Sequence, residues 1–154
     1  MKIIFLDIDG VLNSTEYIIS LKGNFNSVDK VYQIDPKAVV RLNKITDATS
    51  ASIVVSSTWR MFYKYMADLR GVLVEAGITG KVIDKTPVNN NIRGAQIAEW
   101  IDKQNKRSDK VEQFIILDDD SDMGNLMKYL IKTSHSDGLQ DHHVELAIKR
   151  LNDS

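Results

Sequence analysis

The chain has 154 residues, 43% of them hydrophobic and 27% charged, with a formal net charge of −1; this suits one globular domain and offers no global basic field for nucleic acid or anionic membrane. It contains no cysteine, which excludes disulfides, thiolate catalysis and cysteine-ligated metal and fits a reducing compartment. No apolar run approaches the ~20 residues of a membrane-spanning helix, and Met1 leads into an apparent strand without the segments of a secretory leader, so a cytoplasmic location is expected.

The organising stretch is KIIFLDIDGVLN, residues 2–13. Its successive apolar residues, 3–6, read as a short strand buried on both faces. The run ends on Asp7, with Asp9 two residues on, and Gly10 then allows a sharp turn because it carries no Cβ. Two acids after a strand are ordinarily a polar turn, but later elements supply partners for these. Residues 14–34 have no clean period, and Lys22-Gly23-Asn24 reads as the tip of a small flap. Asp35-Pro36 predicts a helix start, and Val39, Leu42 and Ile45 carry the helical period to about Ala48. Residues 52–55 predict a second buried strand, ending in Ser56-Ser57-Thr58-Trp59-Arg60. From there Phe62, Tyr65, Met66, Leu69, Val72, Leu73 and Ala76 predict one amphipathic helix. Its portion over 61–69 is expected in the core, and Gly77 stops it as a C-cap.

Residues 81–84 predict a third strand, followed by Pro87 and an asparagine-rich loop. Ile97, Ala98 and Ile101 predict a helix over 93–104. Residues 114–117 predict a fourth strand, again running into acids: Asp118, Asp119, Asp120 and Asp122. A short helix over 123–130, a last strand over 130–133 and a final helix carrying Val144, Ala147, Ile148 and Leu151 complete the chain. This alternation predicts a single α/β domain, a parallel sheet of about five strands with helices on both faces. Ligands of such sheets sit outside the carboxyl ends of the strands. Asp7 and Asp9, Ser56 and Ser57, and Asp118 and Asp119 should therefore meet at one edge.

Carboxylates gathered there repel one another unless a cation joins them. With no cysteine and histidines only at 135, 142 and 143, the expected cation is a hard one held by oxygen, and magnesium fits. Asp7 is placed to attack phosphorus and form an aspartyl-phosphate, and Asp9 to protonate the leaving oxygen and later deprotonate water. Ser56 or Ser57 and nearby amides can donate to phosphoryl oxygens, and Arg93, at a helix start, can neutralise them.

These residues resemble the haloacid dehalogenase (HAD) superfamily. DIDGVLN resembles its first motif, the serine pair its second, Arg93 (chosen over Lys81 or Lys85) its basic third, and LDDDSDM its acidic fourth. The resemblance implies a Rossmann-like three-layer fold with a minimal cap and a phosphatase with Asp7 as nucleophile and Asp9 as acid/base. Ser57 and Arg93 complete the implied catalytic set, and Gly10, Ser56, Thr58 and Arg60 contact substrate. Asp7, the Asp9 carbonyl and Asp118 or Asp119 would hold magnesium. DGVLN, SSTWR, IRGAQIAEWI and ILDDDSDM further resemble the small HAD domains of Swiss-army-knife RNA-repair proteins, which implies a phosphorylated RNA or DNA end as substrate. Small nucleotides, other metabolites and phosphoproteins are the alternative substrates, and a non-catalytic module that binds a metal or partner through the acidic edge is the competing class.

Plainer readings stand beside these. Asp120 and Asp122 can be the N-cap and first turn of the next helix. Trp59 reads as packing under the site, and Arg60 as a partner either of a core-edge carboxylate or of substrate phosphate. The three histidines lack ligand spacing and read as surface residues. Basic residues outnumber acidic ones between Lys81 and Lys110, ordinarily the mark of a solvated face and only weak support for polyanion binding.

Overall fold

The apolar run at residues 3–6 forms the centre of a parallel sheet in the computed structural model, which describes residues 1–21 and 33–153. The strands are β1 (Lys2–Leu6), β2 (Ser52–Val55), β3 (Val82–Lys85), β4 (Gln113–Asp118) and β5 (Leu130–Lys132), in the order β3-β2-β1-β4-β5. Chain direction across the sheet reverses at β1, between β2 and β4, so the switch point falls on the strand that carries Asp7 and Asp9.

Helices cover both faces, as expected. α2 (Pro36–Thr49), α3 (Met66–Glu75) and α5 (Asp141–Asn152) lay Leu42, Ile45, Leu69, Leu73 and Leu151 on Ile4, Leu6, Ile53, Val55 and Leu117. On the opposite face α4 (Arg93–Asn105) packs Ile97 and Trp100 on Ile3, Phe5, Val54 and Ile116. The even residues of β1 thus face one helical layer and the odd ones the other, so all of residues 3–6 are apolar. Among the described residues, no helix is long and apolar enough to cross a membrane.

The predicted caps of α2 and α3 form. Asp35 Oδ1 accepts the Lys37 amide at 2.9 Å with Pro36 in the first turn, and Gly77 follows α3 with φ of 103°, a conformation costly for any residue with a Cβ. The start of α3 differs from expectation. Ser57 Oγ accepts the Trp59 amide and opens a separate 3₁₀ turn, Thr58–Met61. The apolar stripe is therefore split between two helical pieces with different phases. Met61, Phe62 and Tyr65 are left 64%, 59% and 61% exposed, and only Leu69 of that stretch is fully buried.

The short helix predicted over 123–130 is likewise a 3₁₀ segment, Gly124–Tyr129. His143 is buried rather than on the surface. Its Nδ1 accepts the Gln140 amide at 2.9 Å in a capping box at the start of α5. The interval after Asn13 contains a short helix, α1 (Thr15–Ser20); the turn expected at Lys22-Gly23-Asn24 lies outside the described residues.

Candidate active site

Strand register brings the polar clusters together. Leu6 pairs with Val55 on one side and Leu117 on the other, and the ladder continues one bond further: Ser56 N to Leu6 O at 2.9 Å, Asp7 N to Leu117 O at 3.0 Å, and Thr86 N to Val55 O at 3.0 Å. Extended by that residue, the register sets Thr86, Ser56, Asp7 and Asp118 in a row across the sheet. Side chains alternate along strands. This row therefore shares the face of Phe5, Val54 and Ile116, the face covered by α4.

Arg93 enters from that layer, at the first turn of α4. Its guanidinium donates to Asp118 Oδ2 at 2.9 Å and lies 3.2 Å from Asp7 Oδ1. The helix start is fixed by the acidic loop itself, because Asp122 Oδ2 accepts the Arg93 amide at 3.2 Å and the Asp122 carbonyl accepts the Gly94 amide at 2.9 Å. Asp122 thus caps α4 rather than the segment that follows it, and Asp120 Oδ1 accepts the Ser121 amide. A Cβ at position 94 would stand 2.2 Å from the Met123 carbonyl oxygen, so only glycine permits α4 to approach the loop this closely.

The carboxylates are electrostatically loaded. Burial, and next the charge of Asp118, push Asp7 up from an ordinary value of 3.8 to about 8, against the pull of Arg93 and the Ile8 amide. Burial also raises Asp118, with Arg93 opposing. For Arg93, burial favours the neutral form but is outweighed by Asp7 and Asp118, so its pKa rises. One ligand oxygen each of Asp7, Asp118 and Asp119 lies within 4.8 Å of the others. Such an all-oxygen set, partly protonated without a cation, fits a hard divalent ion. Asp119 is itself held close: a Cβ on Gly10, where φ is 81°, would come within 2.3 Å of its Oδ2, and His135 Nδ1 stands 3.2 Å away.

The Asp9 side chain is turned away from that cluster. Its carboxylate accepts the Asn13 amide at 2.8 Å and the Trp59 indole N–H at 3.2 Å. Asp9 is not among the carboxylates that cluster as a candidate metal site, and it stays exposed. Trp59, 1% exposed, packs under the site and also orients Asp9. Asn13 closes the first motif stretch, but no periodicity or spacing in the sequence signals that it or Trp59 donates to Asp9.

The serine pair divides its work. Ser57 Oγ accepts the Trp59 amide as the cap of the 3₁₀ turn, which leaves its own O–H as a donor. Ser56 stands in the Asp7 row, and its buried Oγ makes no hydrogen bond among the described residues, nor does that of Thr86.

Arg60 needs a larger correction. All five of its N–H donors are matched within the protein: Nε to Thr86 O, Nη1 to Ser56 O and Ser57 O, Nη2 to Pro87 O and to Gln96 Oε1 at 2.8 Å. Buried at 3% exposure, it ties the ends of β2 and β3 to α4 and keeps no donor for a phosphate or a core-edge carboxylate. Burial, then the Arg93 charge, lower its pKa to about 10, so it is still a cation at neutral pH. Lys85 points to the Arg60 and Tyr63 carbonyls, leaving Arg93 as the cation at the acids. Thr58 is exposed, at the start of the 3₁₀ turn.

No curated protein and no solved structure matches the chain. The family model that does match covers residues 3–144, which takes in Asp7, Asp9, the serine pair, Arg93 and the acidic loop. The chain belongs to the family of HAD domains in Swiss Army Knife RNA repair proteins.

Proposed function

We propose that this chain is a magnesium-dependent phosphomonoesterase whose nucleophile is Asp7 and whose substrates are phosphorylated nucleic-acid ends. One observation carries the reading: a buried Asp7, bridged by Arg93 to Asp118, sits beside an acid, Asp9, held separately by Trp59 and Asn13. One carboxylate is thereby confined as nucleophile and a second kept free to carry a proton. Magnesium, held by Asp7, Asp118, Asp119 and the Asp9 carbonyl, would neutralise the acids and the phosphoryl oxygens.

A carboxylate oxygen of Asp7 forms a bond to phosphorus as the bond to the ester oxygen breaks, and Asp9 gives its proton to that oxygen. Water then attacks the aspartyl-phosphate and passes a proton to Asp9, releasing inorganic phosphate and restoring Asp7. Arg93 stabilises the negative charge spread over the transferring group, and the unpaired Ser56 hydroxyl is suited to donate to it. Replacement of Asp7 by Asn should lower turnover of an aryl phosphate with magnesium by about 10⁴-fold or more, with an unchanged circular dichroism spectrum. Wild-type rates in that variant would refute the nucleophile.

A nucleic-acid end is supported by the family and by the little chain available to cover the edge. Between Arg60 and Arg93 the chain forms only α3, β3 and a loop, and Asp9 is exposed. A 3′-phosphorylated oligonucleotide should show higher kcat/KM than the matching mononucleotide, with the gain shrinking as salt rises. Equal efficiency on both, or preference for a sugar phosphate or phosphopeptide, would leave the phosphatase and remove the nucleic acid.

A further inference from the structure

Beside the acids, the asparagine-rich loop and the 3₁₀ turn enclose a cleft of ≈ 250 Å³ that includes Thr58, Met61, Val88, Asn91 and Arg93 among its lining residues. Its walls carry exposed apolar surface, Met61 at 64% and Val88 at 55%. The cleft is continuous with the site through Arg93, which lines it and also contacts Asp7 at 3.2 Å.

Its chemistry argues against a second phosphate pocket. Arg60 also lines it, but every N–H of that guanidinium is already matched. Arg93 turns its Nη1 to Asp7 and Asp118, on the side of the catalytic acids, and Asp122 on the rim repels an anion. What the cleft offers is apolar faces, a hydroxyl and an amide. Asn89 and Asn90 are engaged in the fold, Asn89 with Glu99 and Asn90 with the Ile92 amide. The Asn91 side chain makes no hydrogen bond among the described residues and is exposed on the cleft. The volume falls below the roughly 300–1,000 Å³ of pockets for drug-sized ligands, which suits one flat ring system.

We propose that this cleft receives the base of the terminal nucleotide, flanked by Met61 and Val88 and read at its edge by Asn91 and Thr58, while its phosphate lies at Asp7. A carboxamide is suited to an adenine edge, since it can donate and accept side by side. The proposal rests on the nucleic-acid reading above and adds to it a subsite and the residues that form it.

The test compares two oligonucleotides of equal length and charge, both 3′-phosphorylated, one with a terminal adenine and one abasic at that nucleotide. Affinity is measured by fluorescence anisotropy with magnesium on the Asp7→Asn protein, and hydrolysis separately on the wild type. The adenine end should bind about tenfold more tightly, within the range expected for stacking a base on side chains. Adding Met61→Ala and Val88→Ala to the binding protein should remove most of that preference, and Asn91→Ala should reduce it for adenine more than for a terminal thymine. Equal affinity for the two ends, or binding of neither, overturns the subsite. Such a result with hydrolysis intact leaves the phosphatase standing, whereas a tenfold preference without hydrolysis sustains the subsite and removes the phosphatase.

Discussion

The proposed division of labour between Asp7 and Asp9 draws on a buried indole as well as on Asn13. Trp59 Nε1 lies 3.2 Å from both Asp9 oxygens, so it orients the acid. Trp59→Phe keeps an aromatic ring but removes the N–H. We expect kcat to fall about tenfold, most for substrates with poor leaving groups, where proton donation matters most. KM should change little. Asp9→Asn should cost more, within the roughly 10²–10⁴-fold range of general acid–base catalysis. Equal losses for good and poor leaving groups in Trp59→Phe would mean that the indole only packs. At this scale the acids were legible because each follows an apolar run, and a strand end is where a charge can remain hydrated. The Trp59–Asp9 contact and the saturated Arg60 were not, because both depend on how distant loops settle against one another. An arginine after a serine pair looks the same whether its partners are phosphate or main-chain carbonyls.

Whole elements were legible where burial dictated their composition. The runs at 3–6, 52–55 and 114–117 must be apolar on both faces because helices cover both, and they recur as β1, β2 and β4. The stripe from Phe62 to Ala76 misled because apolar spacing does not reveal where a helix is interrupted; the Ser57 cap starts its own turn and releases Met61 and Phe62 to the surface. The docking of α4 was equally hidden, since Gly94 looks like a poor helix residue until Met123 is seen 2.2 Å from where its Cβ would be. Two glycines test this. Gly94→Ala should displace the first turn of α4, and Arg93 with it, lowering both melting temperature and kcat. Gly71→Ala, within α3 with nothing inside 4 Å of the added carbon, should stabilise by about 0.4–1 kcal/mol by restricting the unfolded chain. If both substitutions shift the melting temperature alike, close packing of α4 on the acidic loop is not what demands glycine at position 94.

Across the whole molecule, the acidic edge trades stability for a place to hold charge. Asp7 binds its proton up to about pH 8 in the folded state, first because of burial and then because of Asp118, whereas an exposed aspartate releases it near 3.8. Between these values the folded chain holds more protons than the unfolded one, so metal-free stability must fall as pH rises. His143 acts with the opposite sign. Burial, and next His142, lower its pKa, and its Nδ1 must be unprotonated to accept the Gln140 amide, so its contribution is complete above about 6.5 and is lost on acidification. Above that point the histidine no longer contributes a slope and Asp7 does. The melting temperature in EDTA should therefore decline from pH 6.5 to 8. Magnesium should raise it, and by more at pH 8 than at 6.5, because the ion competes with a proton at the lower pH. Asp7→Asn should flatten the decline in EDTA and shrink the gain from magnesium. A melting temperature that stays level or rises over this window in EDTA would show that Asp7 already ionises freely in the folded chain, with Arg93 alone holding its charge.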